Sequence, residues 1–114
     1  MAVKSSPTEA AALPADLQQL RDSAGKAAVL LRSVANEQRL LILCHLASGE
    51  KSVGDLERVV SVSQSALSQH LAVLRRDGLV VTRRSGQTIH YRLQGDQAIR
   101  LLAVLHDLFC EARP

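Results

Sequence analysis

The chain has 114 residues and a formal net charge of +3, enough for one domain with a modest core and a mildly basic surface. Its aromatics are confined to Tyr91 and Phe109, with no Trp, which disfavours the stacking platforms of single-strand and RNA recognition. Two cysteines, Cys44 and Cys110, are too few and too distant for a secreted disulfide scaffold. The N-terminus lacks the continuous apolar segment of a secretory signal, and no apolar run, that of residues 40–44 included, is longer than five residues, too short to span a bilayer, so a cytoplasmic chain with no membrane partner is expected.

Residues 1–14 are rich in Ala, Ser and Pro without a sustained pattern, and read as a flexible arm. The domain is expected to occupy residues 15–114. Over residues 15–34, Leu17, Leu20, Ala24, Ala27, Ala28 and Leu31 recur at helical spacing, and the small residues among them allow close helix approach. Asn36 is an N-cap candidate, with Glu37 in the first turn. The helix that follows, with residues 40–46 apolar nearly all round, belongs in the middle of the domain, so Cys44 is expected to be buried or nearly so.

Ser52 caps a shorter helix with Asp55 in its first turn and Val53, Leu56, Val59 and Val60 as its apolar positions. A brief link leads to a second helix with both ends marked: Ser63 as N-cap, Gly78 as left-handed stop, and Arg75 and Arg76 at the negative end of the helix dipole. On that helix Leu67, Leu71 and Leu74 share one face, flanked by His70. Ser65, Ser68, Gln69, Ala72 and Arg76 share the opposite face. An outer face with hydroxyls, an amide, a cation and no acid suits base edges and phosphates. Two short helices so joined form a helix-turn-helix.

After Gly78 the period changes to two. Residues 79–83 and 88–93 alternate across a loop containing Gly86, which predicts a β-hairpin with a basic, polar tip. It has the place of the wing in a winged helix. Asp96 is expected to cap a last helix reaching about Cys110, with Leu101, Leu102, Leu105, Leu108 and Phe109 as its main stripe and Ile99, Ala103, His106 and Cys110 as a second. Two faces to bury in so small a chain predict a homodimer through the first and last helices. The predicted fold is therefore mostly α with one β-hairpin. Its DNA-contacting residues are Ser52, Ser63, Gln64, Ser65, Ser68, Gln69, His70, Arg76, Arg83, Arg84, Gln87 and His90. The partner is double-stranded operator DNA. No P-loop or GxGxxG is present, and no cofactor and no catalytic residue are expected.

The order helix, helix, helix-turn-helix, basic hairpin, helix resembles the ArsR/SmtB family of winged-helix repressors. The resemblance covers residues 26–111 and rests on Leu-Arg-Ser-Val-Ala-Asn-Glu-Gln-Arg-Leu-Leu-Ile-Leu (31–43), Ser-Val-Gly-Asp-Leu (52–56), Ser-Gln-Ser-Ala-Leu-Ser-Gln-His-Leu (63–71) and Leu-Arg-Arg-Asp-Gly-Leu-Val (74–80). It implies a homodimer that holds a palindromic operator and releases it to an inducer. The family's Cys-x-Cys metal position reads Ser52-Val53-Gly54 here. Its last-helix Asp-x-His reads Asp96-Gln97-Ala98, and the downstream ligand position is Phe109, so neither familiar metal site is present.

The pair Cys44 and Cys110, with the ending Leu-Phe-Cys-Glu, resembles the dithiol branch of that family, the BigR/SqrR/HlyU-like proteins. That likeness implies an intramolecular sulfur bridge formed in response to persulfides or oxidants. A free cysteine is also commonly just a small buried hydrophobe, and sensing requires an environment that favours the thiolate, for which His45 and His106 are the nearby candidates. Three alternatives stand beside this one: an activator or anti-silencer with the same fold, a non-standard metal site using His106 and Cys110, and a protein-binding winged helix. A thiol oxidoreductase would need a Cys-x-x-Cys that is absent.

Overall fold

The computed structural model describes the backbone of residues 7–110 and the side chains of residues 17–110. The elements follow as α1 (Pro7–Val34), α2 (Glu37–Ala47), β1 (Lys51–Ser52), α3 (Val53–Val59), α4 (Gln64–Arg76), β2 (Val80–Ser85), β3 (Thr88–Leu93) and α5 (Gln97–Phe109). Helix α1 begins eight residues ahead of the expected start at Ala15. Pro is well suited to a first helical position, and Glu9 and the Ala10-Ala11-Ala12 run that follow are strong helix formers. The rest of the expected arm, residues 1–6, lies outside the described residues.

The expected caps at three helix starts are present. The Asn36 carboxamide oxygen accepts from the Arg39 amide at 3.1 Å, and the Ser63 hydroxyl accepts from the Ala66 amide at 3.1 Å. At α3, Ser52 and Asp55 cap each other reciprocally, at 3.0 and 3.2 Å, the arrangement called a capping box. Asp96 stands before α5 but makes no capping bond. Its ψ of 3° departs from the extended geometry that turns a side chain onto the first-turn amides. Gly78 ends α4 at φ 81°, in the left-handed region where a Cβ is disfavoured.

The hairpin is present, with Ser85 opposite Thr88 and Val80 opposite Leu93. One strand was not expected. Lys51 and Ser52 pair antiparallel with Tyr91 and His90 of β3, which makes a three-stranded sheet in the order β1-β3-β2. Two residues are too few to show an alternation, so only tertiary pairing reveals this strand.

The core is aliphatic. Ile42, Leu43 and Leu46 of α2, Leu56 and Val60, the stripe Leu67, Leu71 and Leu74 of α4, and Leu79, Val80 and Val34 form one cluster. Helix α2 is central, as expected, but not buried on every side. Leu41 and Cys44 both lie on its exposed side. The expectation that Cys44 is buried is therefore corrected: one face of α2 fills the core, and Cys44 lies off it.

Two apolar faces have no partner among the described residues. On α5 only Ala98 is buried, while Val104, Leu108 and Phe109 are 53%, 68% and 79% exposed. On α1, Leu17, Leu20, Ala24, Ala27, Leu31 and Val34 recur at alternate steps of three and four, the spacing of a coiled-coil seam. Of these only Val34 reaches the core, and Leu17, Leu20 and Leu31 are each more than half exposed.

Candidate nucleic-acid interface

The helix-turn-helix consists of α3, the link at residues 60–63, and α4. The leucine stripe of α4 is anchored in the core, so the opposite face is turned outward. Ser65, Ser68 and Gln69 are exposed on it. Among the described residues the side chains of Ser68 and Gln69 have no hydrogen-bond partner, which leaves an amide and a hydroxyl free for an incoming ligand. The Ser63 hydroxyl is committed to its cap and lies 3.3 Å from that of Ser65. Gln64 is less free than its position suggests. Its Nε2 donates to the Glu57 carboxylate of α3 at 3.0 Å.

The two expected phosphate-contacting arginines nearest the reading head are also paired internally. Arg76 forks onto the Asp77 carboxylate at 3.0 and 3.3 Å. Arg83, on β2, donates to both oxygens of Glu50 at 3.1 and 2.7 Å. Arg84 and Gln87 are exposed along the hairpin, with no side-chain hydrogen bond among the described residues. His90 is half-buried opposite Ser52 in the β1–β3 pair. That pairing brings the first helix of the helix-turn-helix and the wing together, so Ser52 joins the two groups of expected DNA contacts.

His70 is half-buried, and its Nδ1 lies 3.3 Å from Nη1 of Arg39. A guanidinium can only donate, so Nδ1 accepts and the ring carries its proton on Nε2. Burial first, and then the Arg39 charge, hold the His70 pKa below its ordinary value. Arg39 was not singled out from the sequence. Its Nε donates to the Ser33 carbonyl at 2.6 Å, and its Nη2 donates at 3.2 Å to the Arg32 carbonyl, which also accepts from the Ala35 amide at the end of α1. The Ser33 hydroxyl, 1% exposed, donates to the Asp77 carboxylate at the end of α4. The Arg76 and Ser33 bonds hold the Asp77 carboxyl below the usual carboxylate range. Arg39 and Ser33 therefore tie α4 to α2 and α1. No local spacing could have flagged a pair of residues 44 positions apart.

Cys44 and Cys110 are both free and exposed. Partial burial of the Cys44 sulfur pushes its pKa up, and the nearby charge of Cys110 pushes it further. The expectation of an environment that lowers a thiol pKa is thus reversed at Cys44. The Cys110 amide donates to the His106 carbonyl at 2.8 Å, closing α5. Among the described residues no three His, Cys, Asp or Glu side chains converge on a point where a metal ion could sit, and no helix is long and apolar enough to cross a membrane.

A helix-turn-helix with an acid-free outer face, followed by a basic hairpin, defines a winged-helix transcriptional regulator. Comparison with known proteins places it more closely. Residues 36–82 match the family described as bacterial regulatory protein, arsR family. The chain is 50% identical to the transcriptional activator HlyU of Vibrio cholerae, over 87% of this chain and 92% of that protein. It is 45% identical to the biofilm growth-associated repressor of Agrobacterium fabrum, over 82% and 80%. Among solved structures, reduced HlyU from Vibrio cholerae matches with a TM-score of 0.75 at 50% identity, over 82% of this chain and 99% of that one. The repressor BigR from Xylella fastidiosa matches with a TM-score of 0.78 at 39% identity, over 83% and 97%. The chain belongs to the ArsR family of bacterial regulators. Its relatives regulate transcription and are not enzymes.

Proposed function

We propose that this regulator is a homodimeric repressor that binds a palindromic operator and is switched by sulfur chemistry at Cys44 and Cys110. One observation carries the switch: two exposed free thiols stand on α2 and at the end of α5, two helices that pack against each other. A persulfide donor would transfer its outer sulfur to the Cys110 thiolate. The Cys44 thiolate would then displace hydrosulfide from that persulfide and close a Cys44–Cys110 disulfide, the electron pair leaving on the hydrosulfide. Retention of the transferred sulfur, with a further oxidant, would give a longer bridge. Because α2 also holds His70 of α4 through Arg39, a strain applied at Cys44 has a direct route to the reading head.

The dimer reading is supported by the seam of α1 and the exposed Val104, Leu108 and Phe109 of α5, apolar faces of the kind a second copy covers. Two copies would present α4 to half-sites about 34 Å apart. Ser65, Ser68 and Gln69 would reach base edges, with Gln64 set by Glu57. Ser52, Ser63, His70, Arg76, Arg83, Arg84, Gln87 and His90 would contact the backbone.

The test is a titration of operator DNA, isolated by selection from the source genome, with reduced and persulfide-treated protein. Treatment is expected to weaken binding about 5- to 150-fold, a coupling of about 1–3 kcal/mol. Loss of that response in the Cys44→Ser, Cys110→Ser double variant, with mass spectrometry separating a disulfide from added sulfur, completes it. A double variant that responds as the wild type does would place the switch elsewhere. The activator named among the relatives favours a second reading, in which operator binding displaces a silencing protein. Transcription with purified polymerase, with and without a competing DNA-coating protein, separates the two readings.

A further inference from the structure

One acid from outside the wing reaches in among the wing's cations. Glu50 leaves the turn between α2 and β1 and takes both the Nε and Nη2 donors of Arg83. Its carboxyl is held below the usual range by that bond first, and also by the fields of Arg83, His90 and Arg92. Its neighbour Lys51 is bonded instead to the Ser48 hydroxyl, at 3.2 Å. Carboxylate and phosphate each present a pair of oxygens that the planar guanidinium fork engages bidentately. Glu50 therefore fills the side-on pair of Arg83 donors and neutralises its charge, leaving only the Nη1 edge for a DNA phosphate.

We infer that Glu50 is a specificity-determining residue that withholds Arg83 from the backbone of non-operator DNA, an inference that rests on the DNA-binding reading above. Non-specific complexes are held by phosphate contacts alone and can slide into whatever register satisfies the most cations. Such complexes gain most when an extra cation is on offer. The operator complex has its register fixed by α4 in the major groove, and it gains least. A carboxylate that neutralises one wing arginine therefore costs arbitrary DNA more than it costs the operator, which widens the discrimination. To engage Arg83 a phosphate must either displace Glu50 from the side-on donors or take the Nη1 edge beside a like charge.

The experiment measures binding of the full chain, wild type and Glu50→Gln, to a mixed-sequence duplex and to an operator selected with the wild type. The salt concentration is varied between about 50 and 200 mM. The Gln variant is expected to bind mixed-sequence DNA about two- to fivefold tighter per protomer, the scale of one exposed ion pair. Its salt slope should steepen by about one counterion per added phosphate contact, and the operator should gain less. In an Arg83→Ala background the same substitution should have no effect, and Glu50→Ala should reproduce it in the Arg83 background. Three results each overturn the inference: mixed-sequence affinity unchanged or weaker, an equal gain on both DNAs, or a gain that survives in Arg83→Ala. A weaker operator complex with unchanged mixed-sequence binding would instead make Glu50 a support that aims Arg83. Wild-type protein that binds no DNA would remove both this inference and the proposed function, whereas wild type that binds, with an unaltered Gln variant, removes the inference alone.

Discussion

Joining Cys44 to Cys110 is expected to stabilise the domain measurably, whatever it does to DNA affinity. The bridge would close a loop of about 67 residues, for which loop entropy sets a ceiling of about 4.4 kcal/mol at 25 °C. Strain reduces that figure. Cys110 follows the last turn of α5, and the half of α5 nearest to it, with Leu108 and Phe109 exposed, is not anchored in the core. That half therefore has little core packing to oppose a bridge, and the expected gain is about 2–4 kcal/mol. Even 2 kcal/mol should raise the thermal midpoint of a chain this size by at least about 8 °C. The assay is urea and thermal unfolding of reduced and bridged protein at equal concentration, since any self-association couples stability to concentration. Non-reducing electrophoresis first verifies that the bridge lies within one chain. Bridging should also accelerate as pH rises, because the raised Cys44 pKa keeps its thiolate scarce at neutral pH. The reasoning fails if only cross-linked pairs of chains appear, or if the bridged single chain unfolds at the same or lower urea than the reduced one.

Three further outcomes follow from the geometry. Ser52→Ala removes the acceptor of the capping box at α3 and should cost about 0.5–2 kcal/mol in urea unfolding; no loss would mean that β1–β3 pairing alone holds that helix start. His70 has its pKa depressed on folding, so its contribution is present above its unfolded value, about 6.5, and is lost as pH falls through the folded one. His70→Asn, which keeps an acceptor near the Nδ1 position, should flatten that part of the pH–stability curve, and an unchanged curve would assign it to another group. Gln69→Ala should cost about 1–3 kcal/mol on operator DNA and relax preference at one base position, whereas Arg84→Ala should weaken all DNA alike and lower the salt slope by about one. Swapped behaviours would invert their assigned roles.

The sequence made the architecture readable because its signals are local. Caps at Asn36, Ser52 and Ser63, the stop at Gly78 and the switch from a helical period to a period of two each depend on neighbours a few positions away. The outward set Ser65, Ser68 and Gln69 was legible for the same reason. Asp96 shows the limit of such signals: the right residue type stands at the helix start, but its backbone angles decide against the cap. Cys44 shows another. An almost wholly apolar helix does not say which of its sides meets the core, and only packing reveals that Ile42, Leu43 and Leu46 are the inward ones. The partners Glu50, Glu57, Asp77, Ser33 and Arg39 left no trace in periodicity. Pairs such as Glu50 with Arg83 join residues 33 positions apart, and in the sequence alone each acid reads as ordinary surface charge.

The two-residue strand β1 has a mechanical consequence. A hairpin standing alone is marginally stable in water and free to swing at its base. Here β3 lies between β2 and a strand whose second residue, Ser52, is also the N-cap of α3. Hairpin and helix start therefore share one joint at Ser52. A rotation imposed on the helix-turn-helix carries the wing with it as a single lever, so a small tilt near the core becomes a larger sweep at Gly86 and Gln87.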